Sequence, residues 1–212
     1  MTNHDSSSIL RLGPPLAQAR STIILLHGRG SSAEDIAGLA KVLPVEGVAL
    51  IAPNAAGGTW YPQRFFAPLQ QNEPSLSRAL GAIDALVNEA IAAGISSERI
   101  GLVGFSQGAC LALEYAVRHP RRYGFVAGLS GALIGPLDTV RRAVDLLQTP
   151  VLVACAESDG HIPLDHVEQS AAALSRFGAM VTKQIFPGGA HTVFPEEITW
   201  LKAQINRPAA KV

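Results

Sequence analysis

Three residue types that can together open an ester or thioester stand along the chain in the order serine, acid, histidine. The serine lies in Gly104-Phe105-Ser106-Gln107-Gly108, the acid in "ESDGHIP", and the histidine in "FPGGAHTVFPEE". A serine hydroxyl is a weak nucleophile at neutral pH, so acyl transfer at Ser106 needs a histidine to take its proton and a carboxylate to orient that histidine. His191, in a glycine-softened loop before the last helix-like run, is the candidate base. Asp159 is the candidate acid, because it sits deep in its turn and its short side chain suits rigid contact with an imidazole; Glu157 is the alternative. His161, next to the acid, is expected at the mouth of a pocket. A developing oxyanion also needs backbone N–H donors. Gln107 opens the helix-like run after Ser106, and Arg29 lies in the turn His27-Gly28-Arg29-Gly30, so their N–H groups are the candidates. The remaining groups have plainer readings: His27 bonded to nearby backbone, the Arg29 side chain solvated, His119 and His166 solvent-facing on or beside helices, and His4 in an N-terminal tail.

These residues need a scaffold that brings them together, and the hydrophobic pattern supplies one. Nearly continuous apolar runs at residues 22–26, 48–52, 100–103, 125–129, 151–155 and 181–186 read as strands covered on both faces. Between them fall runs of helical period at 32–42, 107–118, 164–177 and 196–205. The clearest spans 74–94 and puts Leu76, Leu80, Ile83, Val87 and Ala90 on one face. This alternation predicts an α/β fold with a mostly parallel central sheet and helices on both faces. A G-x-S-x-G match is weak alone, but here Ser106 falls where a buried strand reverses into a helix, the setting that thrusts a nucleophile above a sheet. Residues 21–212 read as one domain, and residues 1–20 as an N-terminal extension, mobile or an edge strand. The longest irregular stretch, residues 53–74, carries four aromatics, which argues for order and function. Only some twenty residues separate the strand-like runs at 125–129 and 151–155, too few for a multi-helix cap.

Composition narrows the function classes. The chain has 212 residues with 17 Lys plus Arg against 17 Asp plus Glu, so no long-range field gathers nucleic acid or an anionic membrane. No apolar run approaches the roughly 20 residues that span a bilayer, and no signal peptide is apparent, which points to a soluble, cytoplasmic chain without stable membrane association. Cys110 and Cys155 sit in apolar segments without ligand-like spacing, as reduced core thiols and not as a metal site. The sequence leaves a homodimer open.

The stretches "LLHGRGSSAED", "TWYP", "GFSQGA", "SDGHIP" and "PGGAH" together resemble the phospholipase/carboxylesterase family of α/β-hydrolases, which includes the acyl-protein thioesterases. The resemblance begins near residue 20 and keeps the motif order. It implies Ser106 as nucleophile, Asp159 as acid, His191 as base, Arg29 and Gln107 as oxyanion donors through their N–H groups, and Trp60 in the lining of the substrate cleft. Gly160 and His161 stand where the family usually has proline and an apolar residue, which alters pocket polarity. The loop "WYPQRFFAPLQQNEP" is more similar to small bacterial esterases than to eukaryotic thioesterases. Tyr61, Phe65 and Phe66 are candidates for an apolar wall beside Trp60, with ordinary core packing as the other reading. The expected function is a serine carboxylesterase without metal or cofactor, acting on small esters or thioesters with short to medium acyl groups through an acyl-enzyme. A lysophospholipase or acyl-protein thioesterase is the alternative within the enzyme class. A ligand-binding α/β-hydrolase without turnover is the alternative outside it.

Overall fold

In the computed structural model, which describes residues 9–207, seven strands form one sheet. In chain order they are β1 (Ile9–Leu12), β2 (Ser21–Leu26), β3 (Val48–Pro53), β4 (Ile100–Phe105), β5 (Phe125–Leu129), β6 (Pro150–Ala156) and β7 (Met180–Phe186). Their spatial order is β1-β3-β2-β4-β5-β6-β7; β1 pairs antiparallel with β3 and every other pair is parallel. The six strand-like runs all become strands, with bounds shifted by a residue or two. Part of the N-terminal extension is an edge strand, in register from Ile9 opposite Pro53 to Leu12 opposite Leu50, and residues 1–8, including His4, lie outside the described residues.

The period of two along the strands builds two cores. Ile24 and Leu26 of β2 and Val151, Val153 and Cys155 of β6 face one side. Ile23 and Leu25, with Leu152 and Ala154, face the other. The first core is roofed by α2 (Ser75–Ala92), α3 (Gln107–Arg118) and α4 (Leu164–Arg176), the second by α1 (Ala33–Ala37) and α5 (Pro195–Ile205). Each fully buried Leu, Ile or Val here contributes roughly 1.5–3 kcal/mol, which a solvent-facing copy would not. α2 buries the stripe Leu76, Leu80, Ile83, Val87 and Ala90.

One helix departs from the pattern. The run at 32–42 forms α1 over only five residues, capped by the Ser32 hydroxyl on the Asp35 N–H at 3.2 Å, and then tightens into a 3₁₀ turn over Gly38–Lys41. Gly38, a poor helix former, stands at the change. The β5–β6 connection contains no helix. It is anchored by buried Glu114 of α3, which accepts the Ile134 N–H at 3.2 Å and pairs with Arg118 at 2.7 Å and Arg141 at 2.8 Å. The β5–β6 connection therefore places no helical cap over the carboxyl ends of the strands.

Candidate active site

The turn from β4 into α3 is forced by close backbone approach. A Cβ on Gly104 would lie 2.1 Å from the Gly108 carbonyl oxygen, and a Cβ on Gly108 would lie 2.1 Å from that of Leu26, so only glycine fits either position. Between them Ser106 adopts φ 54° and ψ −116°, a conformation that L residues rarely hold. The Ser106 N–H donates to the Leu129 carbonyl at 2.9 Å, and its own carbonyl accepts the first helical bond of α3, from Cys110 at 3.1 Å. The serine side chain is thereby lifted off the sheet at the start of a helix.

The acid and base arrive from neighbouring strand ends. Beyond β6, the Asp159 side chain is fully buried, and its Oδ1 accepts the N–H groups of His161 at 2.8 Å and Ile162 at 3.2 Å. Beyond β7, the loop carrying His191 is laced to the Asp159 turn by Glu157 N–H to Phe186 O at 2.7 Å and Ser158 N–H to Gly188 O at 2.9 Å. Asp159 Oδ2 lies 2.7 Å from His191 Nδ1, and His191 Nε2 lies 2.8 Å from Ser106 Oγ. Because a carboxylate accepts only, Nδ1 carries the proton and Nε2 is free to accept from the serine. Glu157 is exposed, and its carboxylate takes no part in this chain of bonds.

The two backbone donors expected for an oxyanion are available. Gln107 is the first residue of α3, where an N–H has no partner within the helix. Among the described residues the Arg29 N–H has no acceptor either. Both residues line a cavity of about 530 Å³ with Ser106, His191, Tyr61 and Phe65, a size ordinary for a small-molecule site. His161 lines it too, its ring 4.7 Å from that of His191.

The side chains around the cavity depart from the sequence reading in several places. The Arg29 side chain is not simply solvated: it donates to the carbonyl oxygens of Tyr61 at 2.9 Å, Pro62 at 3.1 Å and Gln63 at 2.7 Å. The Gln107 side chain grips the same loop, accepting from Trp60 N–H at 3.0 Å and donating to Tyr61 O at 2.8 Å. Trp60, expected in the cleft lining, is not among the residues that line the cavity, and its indole N–H donates to the His27 carbonyl at 2.9 Å. Its ring lies 4.9 Å from that of His27, and of this loop's aromatic residues Tyr61 and Phe65 line the cavity. Phe66 turns away to pack edge-on against Phe65 at 5.2 Å. His166, expected to face solvent, is instead inserted beside Phe65 and Phe66 at 5.3 and 5.6 Å, because α4 brings its first turn onto those rings. His119 is half-covered, stacked on Tyr115 at 4.5 Å.

His27 is structural, as its position at a strand end implies. Its Nε2 accepts the Ala55 N–H at 3.0 Å and its Nδ1 donates to Gly28 O at 2.7 Å, while burial lowers its pKa. Burial also pushes the Cys110 thiol up to about 12 and that of Cys155 up to about 11, so both stay protonated at neutral pH. Sequence reasoning passed over Glu197, fully buried in α5. It accepts the Phe194 N–H at 2.7 Å, and desolvation raises its carboxyl to about 7. A glutamate three residues into a helix is a capping signal that could have found it.

Comparison with known proteins agrees with this geometry. The model of a family described as phospholipase/carboxylesterase matches residues 9–207. Acyl-protein thioesterase 1 of Saccharomyces cerevisiae is 28 % identical over 93 % of this chain and 97 % of its own. A probable carboxylesterase of Arabidopsis thaliana is 25 % identical over 98 % of this chain and 86 % of its own. The crystal structure of a phospholipase/carboxylesterase from Dyadobacter fermentans superimposes with a TM-score of 0.89 at 39 % identity, covering 94 % of this chain and 96 % of that one. The strained serine turn, the sheet that carries it and these likenesses have one conclusion: the chain belongs to the phospholipase/carboxylesterase family, α/β-hydrolases that act on ester bonds.

Proposed function

We propose that the protein is a serine carboxylesterase in which Ser106, His191 and Asp159 act as a catalytic triad on esters, or thioesters, of short to medium acyl chains. The observation that carries this reading is the unbroken hydrogen-bonded series from Asp159 Oδ2 through both ring nitrogens of His191 to Ser106 Oγ, at 2.7 and 2.8 Å, opening into the cavity. His191 Nε2 takes the serine proton as Oγ attacks the acyl carbon, and the N–H groups of Gln107 and Arg29 receive the charge that develops on the carbonyl oxygen. The alcohol or thiol leaves with the proton from His191. Water then gives a proton to Nε2, attacks the acyl-serine and releases the carboxylic acid, restoring Ser106. Asp159 holds the imidazole in the Nδ1–H tautomer and stabilises its cation. Tyr61 and Phe65 offer the acyl chain a short apolar wall, worth roughly 0.8 kcal/mol per covered methylene, beyond which further carbons stay in water.

The test is a panel of p-nitrophenyl esters from acetyl to palmitoyl, with acyl-CoAs of the same lengths, on wild type and variants. Ser106→Ala is expected to fold yet lose kcat by a factor of about 10⁴ or more, and Asp159→Asn to lose comparably, with Glu157→Gln near wild type. Near-normal turnover by Ser106→Ala, or a steady gain in kcat/KM out to palmitoyl, contradicts the reading.

A further inference from the structure

At the amino ends of β2, β4 and β5, the opposite edge of the sheet from Ser106, lies a second cavity of about 490 Å³. β4 alone separates the two by roughly 17 Å, given about 3.3 Å per strand residue. Four arginines are among the residues that line this cavity, Arg20, Arg99, Arg122 and Arg207, with one acidic residue, Glu98, and with Phe125.

Only three of the thirteen arginines, all of them among the described residues, have a carboxylate partner. Arg11 pairs with Glu89 at 2.9 Å, and Arg118 and Arg141 share Glu114. The four cavity arginines make seven hydrogen bonds, all to neutral oxygens. Arg20 donates to Glu46 O and Ile205 O, Arg99 to Ser96 Oγ, Arg20 O and Gly94 O, Arg122 to Leu147 O, and Arg207 to Gln204 Oε1. The three from Arg99 are long, 3.4 to 3.5 Å. Among the described residues no carboxylate lies within 4.0 Å of any of the four. Each guanidinium keeps donors unspent, and four like charges around one concavity repel one another unless an anion joins them. Carbonyl stapling accounts for where the side chains are held. It does not account for four arginines without a carboxylate partner, among the described residues, around one hollow.

We infer that this cavity is a binding site, separate from the catalytic one, for a small phosphate-bearing anion of two or more negative charges. Guanidinium forks match phosphate oxygens in bidentate geometry, and charge-assisted bonds of this kind are the strong ones. The concave shape favours a soluble molecule over a phosphate displayed on a bilayer surface.

Titration calorimetry with inorganic pyrophosphate at low ionic strength tests the inference on the full chain. The expected result is saturable one-to-one binding that weakens as salt is added, and that weakens by about tenfold or more in the double variant Arg99→Gln/Arg122→Gln. Hydrolysis of p-nitrophenyl acetate by that variant should match wild type, which also reports that it has folded. Arg207→Gln, at the exposed end of α5, serves as a second, milder variant with the same direction of change. Absence of saturable heat, equal affinity in the variants, or competitive inhibition of ester hydrolysis by pyrophosphate overturns the site, as does binding to phosphatidic acid vesicles without binding to pyrophosphate. None of these outcomes bears on whether Ser106 is the nucleophile, so the two readings fail separately.

Discussion

The turn that carries Ser106 and the loops that surround it are held by different physics. In the turn, position follows from exclusion: Gly104 and Gly108 leave no room for any other residue, and the neighbours they meet are backbone, which cannot step aside. Around it, position follows from polar ties between segments far apart in sequence. Arg29 and Gln107 each reach the carbonyl of Tyr61, and Glu197 holds the Phe194 N–H beneath the loop that presents His191. A sterically fixed turn either forms or fails. A loop held by several hydrogen bonds can lose one and shift by a fraction of an ångström, and such shifts cost catalysis more than stability.

The sharpest way to break that comparison is at Gly108. Gly108→Ala drives a methyl group to 2.1 Å from the Leu26 carbonyl oxygen, and it is expected to cost more than about 3 kcal/mol and leave little soluble, folded protein. Thermal denaturation settles this, and a variant with wild-type Tm would show that the helix can back away from β2.

Glu197 comes next, and its effect depends on pH. Its carboxyl is raised from 4.5 in the free residue to about 7 in the fold by burial, so between those values the folded state binds a proton that the unfolded chain does not. The stability this represents is complete below about 4.5 and is lost as pH rises through about 7, on the order of 3 kcal/mol in all. Glu197→Gln should flatten that decline. Denaturant titrations at pH 5 and pH 8 would show parallel declines in wild type and variant if the group instead stays ionised throughout.

The smallest effect is expected at the loop tie. Arg29→Ala leaves the backbone N–H in place but frees three carbonyls of the Tyr61–Gln63 segment, and should lower kcat/KM for a neutral ester by roughly 10- to 100-fold with a Tm close to wild type. Arg29→Lys, with fewer donors, should fall between the two. Unchanged kinetics in Arg29→Ala would reduce that side chain to surface decoration.

The same contrast marks what could be read from the sequence. The turn was legible because its signals are local: an apolar run, two glycines, and a helical period within about fifteen residues. The order of Asp159 and His191 after the serine was legible as well, and so was the alternation of strands and helices. The loop ties were not, because Arg29 and Tyr61, or Gln107 and Trp60, stand 32 and 47 positions apart, and nothing in either segment announces its partner. Resemblance puts Trp60 in the cleft lining, whereas its indole N–H needs a buried acceptor and finds one in the His27 carbonyl. For His166 the sequence predicts a water-facing ring, as is usual for a polar ring at the start of a helix, and only the fold shows the two phenylalanines beside it.

The proposed triad requires Ser106 to be the one activated hydroxyl, and covalent labelling addresses this directly. After treatment with an excess of a fluorophosphonate probe, intact-mass and peptide mass spectrometry should find a single adduct on Ser106, accumulating in step with the loss of ester hydrolysis, and none in Ser106→Ala. Hydrolysis that survives full labelling, or an adduct carried by another residue, would contradict it.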